Sequence, residues 1–162
     1  MIRQALIRSI AVSSLALVCL VAPAASQTDD YLELLRSDLK ADKVALLTEV
    51  MEFTPEQATI FWPIYREYDL QLSKLGDARI AVLKEYAANY ETMTAEKAKE
   101  LMDRSFKLEE DRLDLLKSYY GKVAKALSSV EAARFAQAEH QIQMLLDVQI
   151  ASQVPLIQKA AE

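Results

Sequence analysis

Thiols are almost missing from this chain, whose single cysteine, Cys19, sits in an apolar run near the N-terminus. Glycine and proline are scarce too, at 2 and 4 of 162 residues. Little is left with which to build β-turns, while 52% apolar and 27% charged residues favour long helices in a single domain and are too hydrophobic for a disordered chain. Only one histidine, His140, is present, and it falls off the apolar stripe Phe135, Ala138, Ile142, Leu145. No nucleophile stands with a base, so an enzyme is not expected. Glu139, His140 and Asp147 would hold a hard metal only weakly, and Met51, Met93, Met102 and Met144 are dispersed like core fillers. Neither a metal site nor a cofactor is therefore expected.

Long hydrophobic runs are lacking as well. The stretch from Ile10 to Val21 is too short to cross ~30 Å of hydrocarbon at 1.5 Å per residue. Arg3 and Arg8 precede it and Pro23-Ala24-Ala25-Ser26 close it with small residues, the pattern of a secretory signal peptide over 1–26. Cleavage is expected after Ser26, with a cut after Ala24 as the alternative. Val18 before Cys19 is larger than an acylation site accepts, so Cys19 is expected to leave with the leader. The remaining 27–162 would form one helical domain in the periplasm, soluble and not inserted in the membrane. Losing Arg3 and Arg8 leaves 17 basic against 24 acidic residues, a charge of −7. That balance disfavours nucleic acid and anionic lipid as partners.

Four helices are expected, over about 30–51, 55–91, 95–126 and 129–153. In the first, Leu32, Leu35, Leu39, Leu46 and Val50 recur at helical spacing. Thr54-Pro55-Glu56-Gln57 opens the second, with Thr54 as the cap, Pro55 in the first turn and Gln57 reaching back to close a capping box. Pro63 is expected to bend it. Thr94 caps the third helix, and Ser128 with Glu131 forms a capping box for the fourth.

If Met93-Thr94 is a tight turn, the middle helices fold back as an antiparallel hairpin and facing residues have numbers summing to 188. Phe61 then meets Leu127, Tyr65 meets Val123, Tyr68 meets Tyr120, Leu72 meets Leu116, Leu75 meets Leu113 and Tyr86 meets Met102. Arg79 and Glu109 interrupt the two stripes at matching positions. An ion pair across the seam is expected, with Glu110 as the competing partner and with register-fixing as its role, or a ligand-binding polar break as the alternative. Trp62 and Ile64 point off the seam. They either pack under the first or fourth helix or form an apolar surface for a partner.

The helix openings Phe53-Thr54-Pro55-Glu56-Gln57 and Leu127-Ser128-Ser129-Val130-Glu131, 74 residues apart from cap to cap, resemble the paired Leu-Thr-x-x-Gln motifs of the Spy/CpxP family of periplasmic helical proteins. Phe53, Ser128 and Glu131 depart from the motif but keep its capping chemistry. The resemblance, from about Leu32 to Pro155, implies an all-α, elongated four-helix fold built on a long hairpin, often dimerising into a cradle. It implies an ATP-independent chaperone or envelope-stress factor that binds non-native or envelope proteins. A regulatory partner of a membrane sensor kinase is the alternative, and a metal-binding stress protein ranks below both. Homodimerisation and docking on a sensor-kinase domain are thus the other partner expectations. Spy-like chaperones use a basic concave surface, whereas Lys40, Lys43, Arg79 and Lys84 are too few to rebuild one in this acidic chain.

Overall fold

The computed structural model describes residues 42–157. The expected leader at 1–26 with Cys19, the stretch 30–41 of the first helix, and Lys40 lie outside the described residues. Among the described residues the chain is all-α, with four helices and no strand. These are α1 (42–51), α2 (Pro55–Asn89), α3 (Ala95–Ala126) and α4 (Ser129–Ala151).

Local chemistry sets the starts. The Gln57 N–H donates to Thr54 Oγ1 at 3.3 Å, and the Thr54 N–H donates to Gln57 Oε1 at 3.0 Å. Two of the free donors at the start of α2 are thereby satisfied, and Pro55 needs no donor there. Thr94 accepts from the Lys97 N–H at 3.1 Å, and Ser128 Oγ from the Glu131 N–H at 3.1 Å. The second box is closed on the Ser128 side only, and Glu131 Oε2 is buried without a hydrogen-bond partner. Pro63 lies inside α2, its ring on the exposed side, and the helix continues through it. α2 stops at Asn89, two residues before the expected end, and a 3₁₀ turn (Tyr90–Thr92) completes the reversal. α4 likewise ends at Ala151.

α3 returns along α2 in the opposite direction. The ring of Tyr68, early in α2, lies 5.4 Å from that of Tyr119, late in α3, tilted by 59°, while Glu85, late in α2, meets Lys97, early in α3. The seam differs from the expected one. Tyr68 meets Tyr119 rather than Tyr120, which is 38% exposed, and Leu113 is 52% exposed. Met102 is exposed as well, and Leu101 is buried in its place. The reason is a second neighbour. A two-helix register gives α3 one buried stripe, but α3 packs against both α2 and α4. Its apolar face is therefore divided between two directions and turned by about one residue.

One cluster holds this end together: Leu47 and Met51 from α1, Phe61, Tyr65 and Tyr68 from α2, Tyr119 and Val123 from α3, and Ala132 and Phe135 from α4. The rings of Phe61, Tyr65 and Tyr68 each meet Phe135 edge-on, with centroids 5.4–6.4 Å apart. Burying a side chain of this size contributes roughly 1.5–3 kcal/mol, and well-set ring pairs add to it.

Candidate functional site

Along α4 the buried positions are Ala132, Phe135 and Glu139, a helical stripe that puts a carboxylate where an apolar residue is expected. Glu139 is 0% exposed. The ionised form is costly there unless it is paired. Two partners reach it: Lys43 Nζ of α1 lies 3.0 Å from Glu139 Oε2, and the Tyr68 hydroxyl of α2 donates to the same oxygen at 3.1 Å. Lys43 is itself only 9% exposed, 5.5 Å from the ring centroids of both Tyr65 and Tyr68 and 3.9 Å from Asp69. Glu139 Oε1 and the Tyr65 hydroxyl are both buried with no hydrogen-bond partner.

Burial pushes the Glu139 carboxyl above the usual carboxylate range, although Lys43 and the Tyr68 hydroxyl pull it back. The Tyr65 and Tyr68 hydroxyls are driven upward, first by burial and then by the charge of Glu139, and remain protonated. The arrangement is a slot for a cation, with two aromatic walls and two carboxylates, closed by α1. It offers no nucleophile, and no group of three or more metal-ligating side chains gathers among the described residues.

The sequence-derived site residues are dispersed around this slot. Thr54, Gln57 and Ser128 serve as caps, as described above, and Glu131 contributes its N–H. Trp62 and Ile64 are half-buried against the core cluster, with Trp62 edge-on to both Phe61 and Tyr65, so packing is what they do here. The expected Arg79–Glu109 pair is replaced. Arg79 bonds Asp147 of α4, Glu109 bonds Arg112 within α3, and Arg112 lies 3.5 Å from Asp147. Asp147 outcompetes Glu109 because α4 fills the side of the hairpin toward which Arg79 points. Glu139, His140 and Asp147 do not converge, since Glu139 is buried, His140 is exposed and Asp147 serves the arginines.

Sequence reasoning passed over the Lys43–Glu139 slot. Its one local signal is Glu139 four residues after Phe135, on the buried face. The assumed stripe through Ala138 and Leu145 hid that signal, and Leu145 is 67% exposed. A groove of ≈ 260 Å³ runs between α1 and α4, lined by the apolar Leu46, Val50, Ala138, Ile142 and Leu145 and by the polar Arg134, Gln137 and Gln141. Val44, Met144 and Val148 are exposed on these same two helices. No helix among the described residues is long and apolar enough to cross a membrane. Compared with protein-family models, curated proteins and solved structures, the chain matches none of them.

Proposed function

We propose that the chain is an exported, periplasmic helical protein of the Spy/CpxP type that binds non-native or envelope proteins without ATP or a cofactor. The observation that carries this reading is the mostly apolar groove between α1 and α4, with Leu145 in its wall and Met144 and Val148 exposed on the same helix. Exposed apolar side chains gathered along a groove mark protein contact. The resemblance of the two capped helix openings adds support, as does the return of α3 along α2.

At the groove between α1 and α4 the attraction of clients is apolar rather than charge-steered. Of the cations considered above for drawing acidic clients, Lys43 is buried on Glu139 and Arg79 is engaged with Asp147. The test is suppression of aggregation of a thermally unfolding client by the exported chain without nucleotide, beside a pull-down from envelope extract. Suppression lost in Leu145→Asp and Val148→Asp, with melting unchanged, is the expected result. A single stoichiometric envelope partner without suppression would favour the sensor-kinase role instead. Mass spectrometry of the exported form is expected to find Gln27 at its N-terminus.

A further inference from the structure

α1 touches the core through a sparse code. Lys43, Leu47 and Met51, spaced four and four, are its buried side chains, while Val44, Leu46 and Val50 are exposed. Leu47 and Met51 enter the aromatic cluster, and Lys43 enters the slot formed by Glu139, Asp69 and the two tyrosine rings. The chain leaving α1 is strained, since Glu52, not a glycine, takes φ of +50°. Arg134 of α4 grips this end, its guanidinium donating to the Val50 carbonyl at 2.6 Å.

The slot is not saturated by its lysine. Lys43 and Tyr68 both bond Glu139 Oε2, leaving Oε1 and the Tyr65 hydroxyl buried without partners. An ammonium is a compact point charge, whereas a guanidinium presents a planar fork of donors that engages both oxygens of a carboxylate and lies flat on aromatic faces.

We propose that the seat of α1 is a helix-recognition groove, occupied in cis by α1 and open in trans to a partner segment carrying a cation followed at the fourth and eighth positions by large apolar residues, with arginine the preferred cation. The inference goes beyond the protein-binding reading above, because it concerns the seat beneath α1 and not the groove between α1 and α4. Charge complementarity commits it to a basic-apolar helix: the slot is anionic at one end, the aromatic floor is apolar, and α1 is the seated example. Release of α1 also relieves Glu52.

The test uses the exported chain and labelled peptides spanning residues 42–53, read by fluorescence anisotropy. One peptide keeps the native sequence, and the others carry Lys43→Arg, Lys43→Ala or Leu47→Asp. Leu47→Ala in the chain weakens the cis competitor, so the native peptide should bind that chain about thirtyfold tighter than the wild type, or more. Affinity should rank arginine above lysine above alanine, with Leu47→Asp not binding. Adding Glu139→Gln to the chain should flatten that ranking. Equal binding of the arginine, lysine and alanine peptides, or binding of none, overturns the proposal.

Should the Leu47→Ala chain lose its helical signal, hydrogen exchange on the wild type decides. Amides of 44–51 should open while those of Phe61–Tyr68 stay protected, and the arginine peptide should speed exchange at 44–51 alone. Exchange of 44–51 only through global unfolding rules the groove out. Aggregation suppression without peptide ranking retains the protein-binding reading and removes this one. Ranking without suppression does the reverse.

Discussion

The two ends of the helical unit are held by different forces. Near the helix caps, α1 to α4 contribute Leu47, Met51, Phe61, Tyr65, Tyr68, Tyr119, Val123, Ala132 and Phe135 to one buried cluster. Toward the α2–α3 turn, Val82 and Leu101 are the buried apolar residues, and long polar side chains replace the packing. Glu85 receives Lys97 at 2.9 Å and also Arg104, and Asp147 gathers Arg79 and Arg112. The Tyr86 and Tyr90 hydroxyls donate to the carbonyls of Pro155 and Leu156. Buried rings resist water and salt, whereas half-exposed ion pairs yield to both. Stability should therefore reside at the capped end, with the turn end opening first.

The largest effect should come from emptying the aromatic cluster. Phe135 meets Phe61, Tyr65 and Tyr68 edge-on, so Phe135→Ala should cost about 3–5 kcal/mol in denaturant unfolding. Leu101→Ala, at the turn end, should cost visibly less. Equal losses would remove the contrast between the ends.

The buried ion pair comes next. Glu139→Ala leaves the Lys43 ammonium in apolar surroundings and should cost about 3 kcal/mol, the low end for a broken buried pair because Asp69 stands 3.9 Å away. Lys43→Met with Glu139→Leu should be neutral or stabilising. The pH dependence has a definite sign. The folded carboxyl is raised above 4.5, so the folded state holds this proton more tightly than the unfolded chain. Its contribution is complete below pH 4.5 and is lost as pH rises through the folded value. Relative to Glu139→Gln, the wild type should lose stability on going from pH 4 toward neutrality. A wild type that gains on the variant over that range would reverse the assignment.

The caps offer a finer comparison within the strong end. Thr54 and Gln57 close a reciprocal box, while Ser128 supplies its half alone. Both Thr54→Ala and Ser128→Ala should cost about 1 kcal/mol by thermal melting. Gln57→Ala should be felt, and Glu131→Ala should cost less or even stabilise, because one Glu131 oxygen is buried without a partner. A larger loss at Glu131 would mean that the second box closes in solution.

What the sequence discloses follows the range of each interaction. The caps are legible because Thr54 and Gln57 lie three residues apart. The aromatic stripe is legible because Phe61, Tyr65 and Tyr68 repeat at the helical period. The Tyr68–Tyr119 contact is legible to within one residue, since a hairpin constrains its register but not its rotation. Lys43 and Glu139 are separated by 96 positions, and nothing local in Lys43 distinguishes it from a solvated lysine. The partner of Arg79 was missed for the same reason: a pairing argument between α2 and α3 cannot anticipate that α4 brings Asp147 between them.

The smallest effect is expected at that junction. Arg79 and Asp147 are each about a third exposed, so water and ions share their field. Removing either should cost under about 1 kcal/mol, as for surface pairs. That loss should shrink further near ~1 M salt, where screening acts within ~3 Å. A double-mutant cycle separates the geometries: Arg79→Leu with Asp147→Leu should show coupling that salt abolishes. Arg79→Leu with Glu109→Leu should be close to additive, since Glu109 reaches Arg79 only through Arg112 and Asp147. If Arg79 and Glu109 couple as strongly as Arg79 and Asp147, the two meet directly across α2 and α3. The turn end would then be a closed hairpin seam rather than a salt-sensitive junction of three helices, and its contrast with the capped end would weaken.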